Sequence, residues 1–221
     1  QTIYRPATMK NIQLKVCGMK HNTIEVAALQ PDYVGFIFYE GSPRNFEDSL
    51  PTFPSEVKKV GVFVNASISE VLSKAKQFQL DVIQLHGDET ASFCKELNAS
   101  EQINSKIWKV FGIKDTFDFS VLKEFEPHVS AFLFDTKGKE KGGNGYTFNW
   151  NILKNYPSST PFVLSGGIGL NEIEQLSEIL KTDLPVFAID VNSKFEDKPG
   201  LKDTKQLQQF INKLNTIQSS L

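Results

Sequence analysis

Eight short apolar runs, separated by helical patterns, recur along the whole 221-residue chain. Each run is rich in β-branched or aromatic residues and shows little polar alternation, which is typical of parallel strands covered on both faces. The runs are residues 11–17, 32–38, 57–64, 81–85, 106–112, 131–135, 161–165 and 185–190. Eight successive strand–helix units of this kind predict an α/β fold, a single closed (β/α)8 TIM barrel.

The alternative to a barrel is a doubly wound sheet, which often carries a glycine-rich dinucleotide turn after its first strand. Here the first run ends in Cys17-Gly-Met-Lys and no G-x-G-x-x-G motif follows it. No linker or low-complexity segment divides the chain, so we assign residues 9–221 to one barrel domain. Residues 1–8 precede the first run and contain no initiator Met, and we expect them to be a cloning or processing remnant.

Helical stripes follow the third, seventh and eighth runs, with apolar residues spaced three and four apart. The stripes are Ile68, Val71, Leu72, Ala75 and Phe78; Leu170, Ile173, Leu176 and Ile179; and Leu207, Phe210, Ile211, Leu214 and Ile217. Asn171 and Asp203 have the residue type and position of N-caps. The connection over residues 46–55 is short and contains prolines, so a helix is least expected there.

Charge and cysteine usage restrict the class of partner and the compartment. Lys and Arg total 24 against 26 Asp and Glu, which gives no support for nucleic acid or an anionic membrane as the main partner. No apolar run reaches the about 18 residues that a membrane span needs, and the N-terminus lacks the apolar region of a signal peptide. Two cysteines form neither a disulfide framework nor a zinc pattern, which favours a reducing, cytoplasmic setting.

Polar residues stand at the ends of the apolar runs, where a barrel places its active site. Cys17 ends the first run; a thiolate there could act as a base or a nucleophile, although cysteine is also a common small core residue. Asp135 follows four apolar residues, and a buried carboxylate is costly unless it has a function or a partner. Asp190 ends the eighth run and either contributes to the site or orients the neighbouring loop. Cys94 lies within a helical pattern, and we interpret it as a packing residue.

Other residues near the strand ends favour an anionic ligand. Gly166 and Gly167 follow the seventh run and Ser193 follows the eighth, and these two loops form the usual phosphate site of this architecture. Glycines let backbone N–H groups converge on an anion, and a short helix starting near Ser193 would add further donors. Arg44 offers a planar fork for a carboxylate or phosphate, although a solvated surface arginine is equally typical. His86 is either a ligand or a hydrogen-bonded structural histidine. The sequence therefore predicts a phosphorylated small-molecule substrate.

An ordered set of motifs over residues 10–218 resembles the phosphoribosylanthranilate isomerases of tryptophan biosynthesis. The motifs are Leu14-Lys-Val-Cys-Gly, Val34-Gly-Phe-Ile-Phe, Ser42-Pro-Arg, Val60-Gly-Val-Phe-Val-Asn, Ile83-Gln-Leu-His-Gly-Asp, Phe134-Asp-Thr, Gly142-Gly-Asn-Gly, Leu164-Ser-Gly-Gly-Ile, Ile189-Asp-Val-Asn-Ser and Pro199-Gly-Leu-Lys-Asp. The resemblance implies an Amadori rearrangement of N-(5-phosphoribosyl)anthranilate without metal or cofactor. By the same resemblance Cys17 is the general base and Asp135 the general acid.

The resemblance also implies how the substrate is held. Arg44 would bind the anthranilate carboxylate, Gly166 and Gly167 with Ser193 would bind the phosphate, and the loop over residues 142–145 would close over the substrate. Many members of the family follow that serine with glycine, whereas this chain has Lys194. We place Lys194, His86 and Asp190 with the substrate-binding residues, and we expect a monomer or a homodimer.

Two other functions compete with this one. The histidine-pathway sugar isomerase performs the same rearrangement on a related barrel, but it would be expected to place an aspartate at the position of Cys17 and to show two similar half-barrels. No such internal repeat is visible in this sequence. A non-catalytic phosphate-binding barrel belongs to a different class, and the joint presence of Cys17 and Asp135 argues against it.

Overall fold

Eight parallel strands close into a barrel in the computed structural model, which describes residues 10–138 and 145–221. Each strand pairs with the next along the chain, and the eighth pairs with the first. The strands are β1 (Gln13–Val16), β2 (Tyr33–Phe38), β3 (Lys58–Phe63), β4 (Val82–Leu85), β5 (Lys106–Ile113), β6 (Ala131–Thr136), β7 (Phe162–Leu164) and β8 (Val186–Val191). The predicted (β/α)8 barrel is confirmed, while residues 1–8 lie outside the described part of the chain.

The described residues form five α-helices around the barrel, together with several 3₁₀ turns. They are α1 (Thr23–Ala27), α2 (Ile68–Phe78), α3 (Ala91–Asn98), α4 (Ile173–Leu180) and α5 (Thr204–Ser219). The stretch between β2 and β3 is fully described and contains no helix, as its prolines predict. The connections after β5 and β6 contain only 3₁₀ turns among their described residues, the longest being Trp150–Asn155. No helix in the described residues is long and apolar enough to span a membrane.

One of the two expected helix caps is confirmed and the other is wrong. The carboxylate of Asp203 accepts hydrogen bonds from the backbone N–H groups of Lys205 and Gln206 at the start of α5. Asn171, by contrast, lies inside a 3₁₀ turn, Leu170–Glu172, that precedes α4. The backbone N–H of Gly169 donates to the Glu172 carboxylate at 2.8 Å, so the helical segment begins at Gly169 and leaves Asn171 without a capping role.

Apolar side chains fill two layers, one inside the barrel and one between the barrel and its helices. The interior layer includes Tyr33 and Trp108, whose rings meet edge to face with centroids 5.1 Å apart at the amino-terminal end of the barrel. Cys94 is fully buried in the outer layer, which confirms its interpretation as a packing residue. With one end of the barrel filled by aromatic rings, space for a ligand is left at the opposite end, where the strands finish.

A short antiparallel ribbon extends the chain between β8 and α5. It consists of β9 (Glu196–Lys198) and β10 (Leu201–Lys202), and a 3₁₀ turn, Ser193–Phe195, connects it to β8. The expected helical turn near Ser193 is therefore present. The ribbon brings side chains from beyond the last strand back over the carboxyl end of the barrel.

Candidate active site

A cavity of about 510 Å³ lies at the carboxyl ends of the strands. Every residue that the sequence predicted for the site lines it, although these residues come from six different strand ends. They are Cys17, Arg44, His86, Asp135, Gly166, Gly167, Asp190, Ser193 and Lys194. Parallel strands explain this convergence, because their carboxyl ends all meet at one rim of the barrel.

Cys17 shares the interior face of β1 with a lysine that is completely buried. Side chains two apart on a strand point to the same face, so Lys15 lies one layer below Cys17. Gly35 of β2 leaves the room for both, since a Cβ at that position would lie 2.9 Å from Cys17 Sγ and 3.2 Å from Lys15 Cε. Burial raises the pKa of the Cys17 thiol above its ordinary value, and the charge of Lys15 opposes that rise. The thiol therefore has a cationic neighbour that favours its ionised form.

Lys15 is held by a second buried acid at the base of the cavity. Its Nζ lies 3.1 Å from Asp190 Oδ1, and the other carboxylate oxygen accepts a hydrogen bond of 2.9 Å from Ser165 Oγ. Burial alone would lower the pKa of Lys15, but the charges of Asp190 and Cys17 outweigh it and raise the pKa. Asp190 thus connects β1, β7 and β8 beneath the thiol, which is more than the loop orientation considered from the sequence.

Asp135 lies at the end of β6 and is linked to His86, which follows β4. His86 Nε2 is 3.2 Å from Asp135 Oδ2, while the other oxygen of Asp135 accepts the backbone N–H of Thr136 at 2.8 Å. His86 Nδ1 lies 3.2 Å from Gln84 Nε2, so Gln84 orients the imidazole. With Gln84 donating to Nδ1, the neutral imidazole carries its proton on Nε2 and donates to Asp135. The buried Oε1 of Gln84 has no hydrogen-bond partner within the described residues.

Two consecutive glycines after β7 and the 3₁₀ turn after β8 form a concave backbone surface in the same cavity. Gly166 and Gly167 both have left-handed backbone angles, φ +92° and +69°. The backbone N–H groups of Gly167, Ser193 and Lys194 find no acceptor anywhere in residues 10–138 and 145–221, and these residues line the cavity. Unpaired N–H groups that converge on a cavity can bind an anion.

The same glycines have a second role that the sequence did not reveal. A Cβ on Gly167 would lie 2.1 Å from the carbonyl carbon of Tyr146, and one on Gly166 would lie 2.4 Å from Thr136 Oγ1. The loop after β7 therefore packs directly on the backbone that follows β6. Of the segment expected to close over the substrate, residues 142–144 lie outside the described residues and only Gly145 is described.

Sequence reasoning missed four polar residues that complete the site: Lys15, Gln84, Glu196 and Lys202. Two of these could have been predicted, because residues two apart on a strand share a face: Lys15 precedes Cys17 by two positions, and Gln84 precedes His86 by two. Glu196 and Lys202 had none, since they belong to the ribbon beyond the last strand. No group of three or more His, Cys, Asp or Glu in the described parts of the chain is arranged to hold a metal ion.

The closed barrel and the polar cavity at the carboxyl ends of its strands define the class as a (β/α)8-barrel enzyme. Residues 14–213 match the family model described as N-(5'phosphoribosyl)anthranilate (PRA) isomerase. An N-(5'-phosphoribosyl)anthranilate isomerase of Parabacteroides distasonis is 43% identical over an alignment 211 residues long, which covers 91% of this chain and 92% of that protein. The chain belongs to the N-(5'-phosphoribosyl)anthranilate isomerase family, and it is an isomerase.

Solved structures agree with this assignment. Mutually generated monomers of dimeric phosphoribosylanthranilate isomerase from Thermotoga maritima superpose with a TM-score of 0.74 at 29% identity, covering 93% of this chain and 99% of that one. A phosphoribosylanthranilate isomerase in complex with reduced 1-(o-carboxyphenylamino)-1-deoxyribulose 5-phosphate superposes with a TM-score of 0.72 at 27% identity, with the same coverage of 93% and 99%.

Proposed function

We propose that this protein converts N-(5'-phosphoribosyl)anthranilate into 1-(2-carboxyphenylamino)-1-deoxyribulose 5-phosphate in tryptophan biosynthesis, with Asp135 as general acid and Cys17 as general base. The observation that carries the proposal is that one cavity holds a thiol, a carboxylate and an anion-binding backbone surface. An aldose–ketose rearrangement of a phosphorylated substrate needs these three elements: an acid, a base and a place for the phosphate.

In the first step Asp135 donates a proton to the ring oxygen of the ribose. The C1–O bond breaks as the anthranilate nitrogen lone pair forms a C1=N bond, which gives an open-chain, protonated Schiff base. For this step the pair must hold two protons, one on His86 Nδ1 and one between His86 Nε2 and Asp135 Oδ2. Asp135 gives the second of these to the ring oxygen, which leaves a carboxylate beside an imidazole that is still protonated on Nδ1. Gln84 fits either state of His86, because a turn of its amide would present the unpaired Oε1 to a protonated Nδ1.

In the second step the Cys17 thiolate removes the proton on C2. The electrons of the C2–H bond form C1=C2 and neutralise the iminium nitrogen, and the resulting enolamine tautomerises to the ketone as C1 gains a proton and the C2 hydroxyl loses one. A buried thiol with a raised pKa is a stronger base once ionised, and Lys15 offsets the cost of ionising it. The thiol and its cationic neighbour therefore suit proton abstraction.

The two ends of the substrate carry negative charge and need separate binding groups. We assign the phosphate to the backbone N–H groups of Gly166, Gly167 and Ser193, with Lys194 contributing through its own N–H. The guanidinium of Arg44, which lines the same cavity, is assigned to the anthranilate carboxylate. Arg44 and the glycine loop line one cavity, so a single substrate can bridge them.

The activity is tested by adding the protein to freshly made phosphoribosylanthranilate and following the loss of substrate fluorescence. Loss at a rate proportional to protein concentration supports the proposal, whereas an unchanged signal with tight phosphate binding would identify a non-catalytic barrel. The substrate of the histidine-pathway isomerase, supplied under the same conditions, tests the competing enzyme. The cytoplasmic setting, the independence from cofactors and metals, and the monomeric or homodimeric state stay predictions.

A further inference from the structure

The guanidinium of Arg44 is bound by a carboxylate of the protein itself. Its Nε lies 3.0 Å from both Oε1 and Oε2 of Glu196, and its Nη2 lies 2.5 Å from Oε1. The Glu196 side chain is only 4% exposed and that of Arg44 is 13% exposed. Glu196 comes from β9, whereas Arg44 follows β2, so this contact joins two distant parts of the chain over the cavity rim.

Glu196 is in turn held by a buried lysine and a backbone group. Lys202 Nζ lies 2.6 Å from Glu196 Oε2 and 2.7 Å from Asn192 Oδ1, and the N–H of Gly200 donates to the same Oε2 at 2.8 Å. Burial would raise the pKa of Glu196, but the hydrogen bonds from Arg44 and the charge of Lys202 outweigh it and keep the pKa below its ordinary value. Glu196 is therefore an anion with four donors arranged around it.

The backbone beneath this cluster has no room for a side chain. Gly18 directly follows Cys17 and has a left-handed φ of +76°. A Cβ on Gly18 would lie 2.7 Å from Asn192 Oδ1, 2.8 Å from Arg44 Cδ and 3.1 Å from Lys202 Nζ. The end of β1, the β2 loop and the ribbon therefore pack into one cluster around the Arg44–Glu196 contact, beside the thiol.

The contact uses one edge of the guanidinium and leaves the other edge available. Glu196 occupies Nε–H and one N–H of Nη2, so both N–H groups of Nη1 and the second one of Nη2 are left. Among the residues that the structure describes, none accepts a hydrogen bond from Nη1. Two cations, Arg44 and Lys202, share one anion, which leaves a single positive charge for a carboxylate to neutralise.

We propose that Glu196 is a positioning residue that fixes the Arg44 guanidinium so that its free edge recognises the carboxylate on the aromatic ring of the substrate. This inference rests on the proposed function, which assigns that carboxylate to Arg44. A guanidinium that is already held in place loses less conformational entropy when it forms a bidentate contact with the substrate carboxylate. The ribbon that carries Glu196 also continues from the Ser193 turn, so the carboxylate site and the phosphate site are built by one segment.

An alternative role for Glu196 predicts the opposite effect. If Glu196 were only a competing anion that occupies Arg44, its neutralisation would make the cluster more cationic and would tighten binding of a substrate carboxylate. If Glu196 positions Arg44, neutralising Glu196 frees the Arg44 guanidinium to move. The preference for a ligand with a carboxylate then weakens, despite the more positive charge of the cluster. The sign of the change therefore separates the two roles.

The experiment measures two ligands by calorimetry: reduced 1-(o-carboxyphenylamino)-1-deoxyribulose 5-phosphate and its counterpart made from aniline, which lacks the ring carboxylate. The ratio of the two dissociation constants reports carboxylate recognition alone, because the phosphate and sugar are common to both. We expect wild type to prefer the carboxylated ligand by at least about thirtyfold, and Glu196→Gln to reduce that preference by about tenfold. Glu196→Asp keeps the charge but shortens the side chain, and it should give a ratio between those of wild type and Glu196→Gln. If Glu196→Gln does not fold, Glu196→Asp tests the proposal in its place.

The matched control is Asp197→Asn, which removes one negative charge from the neighbouring, exposed position and should leave the ratio within about twofold of wild type. Inhibition by inorganic phosphate should also stay within about threefold of wild type in Glu196→Gln. Suppose that Arg44→Ala loses the preference for the carboxylated ligand, as the proposed function requires. An unchanged or increased ratio in Glu196→Gln would then overturn the positioning role of Glu196 alone. If Arg44→Ala keeps the wild-type ratio, the assignment of the carboxylate to Arg44 is wrong and this inference is wrong with it.

Discussion

His86 Nε2 lies 3.2 Å from Asp135 Oδ2, although His86 follows β4 and Asp135 lies in β6, and these two strands are not neighbours in the barrel. The contact therefore spans the end of β5 at the cavity rim. Because Gln84 fixes the other nitrogen of the imidazole, the orientation of the proposed acid depends on a three-residue chain rather than on Asp135 alone.

Cys17→Ala and Asp135→Asn should each lower turnover by at least about a hundredfold, the usual contribution of a positioned proton-transfer group. Both variants keep the size and fold of the site but remove the base or the acid. Loss of substrate fluorescence under saturating conditions measures the effect. Cys94→Ala is the control, since this second thiol is fully buried outside the barrel, and its turnover should equal that of wild type. Near-normal turnover in a folded Cys17→Ala or Asp135→Asn protein would remove that residue from its role.

Gln84→Met should separate catalysis from stability. Gln84 Oε1 is buried and unpaired in the described structure, so replacing the amide by an apolar chain of similar length should leave the free energy of unfolding within about 1 kcal/mol of wild type. Turnover should nevertheless fall by about tenfold, because His86 loses the group that orients it toward Asp135. Urea unfolding and steady-state turnover test the two statements separately. A parallel loss of both would mean that Gln84 supports only packing.

Lys15 should set the pH at which Cys17 ionises. Burial raises the pKa of this thiol and the Lys15 charge lowers it, so removing that charge should move the pKa upward. In a Cys94→Ala background, the rate of alkylation by iodoacetamide follows the thiolate fraction, and its pH profile should shift to higher pH in Lys15→Met. An unshifted profile would show that Lys15 has no influence on the thiol.

Lys15→Met leaves Asp190 buried beside it without its cation, which typically costs about 3–5 kcal/mol of stability. The double variant Lys15→Met/Asp190→Asn removes both charges and should recover most of that loss. Because Lys15 affects the thiol more strongly than Asp190 does, the double variant should still show the upward shift of the Cys17 pKa.

Whether a site residue can be predicted from the sequence depends on which part of the fold brings it to the cavity. Cys17 and Asp135 could be placed because parallel strands end at one rim, so position along the chain is enough. The contact between Lys15 and Asp190 depends on closure of β8 against β1 in a register that pairs these two residues, which no local pattern shows. The position of Glu196 could not be predicted either, because it depends on how the β9–β10 ribbon folds back over the cavity rim. The expected cap at Asn171 is wrong because a competing pair, Gly169 with Glu172, lies two residues earlier.

Cys94 should make stability fall at alkaline pH. Burial raises its pKa from 9.0 to about 11, so the folded state holds a proton that the unfolded state releases. The stabilisation that the folded state gains from keeping this thiol protonated is complete below pH 9 and disappears as the pH rises through about 11. By about pH 10.5 the free energy of unfolding should be lower by about 2 kcal/mol. The difference in unfolding free energy between wild type and Cys94→Ala, measured at about pH 8 and about pH 10.5, should shrink by that amount. A constant difference would contradict a raised pKa.

Phosphate affinity should depend little on the Lys194 side chain. The assigned donors are backbone N–H groups, and Lys194 is exposed, so its ammonium adds only attraction that salt screens. Lys194→Gly should therefore change affinity for inorganic phosphate by less than about tenfold, and raising the salt concentration should reduce even that difference. Gly167→Val should weaken phosphate binding far more, both by blocking its approach and because its Cβ would meet the Tyr146 backbone.

The exposed Lys198 on the ribbon gives a matched control, since Lys198→Gly removes the same charge without touching the cavity lining. Calorimetric titration with phosphate at low and high salt compares the variants. If Lys194→Gly loses most of the affinity while Lys198→Gly keeps it, the side-chain ammonium of Lys194 rather than the backbone binds the phosphate.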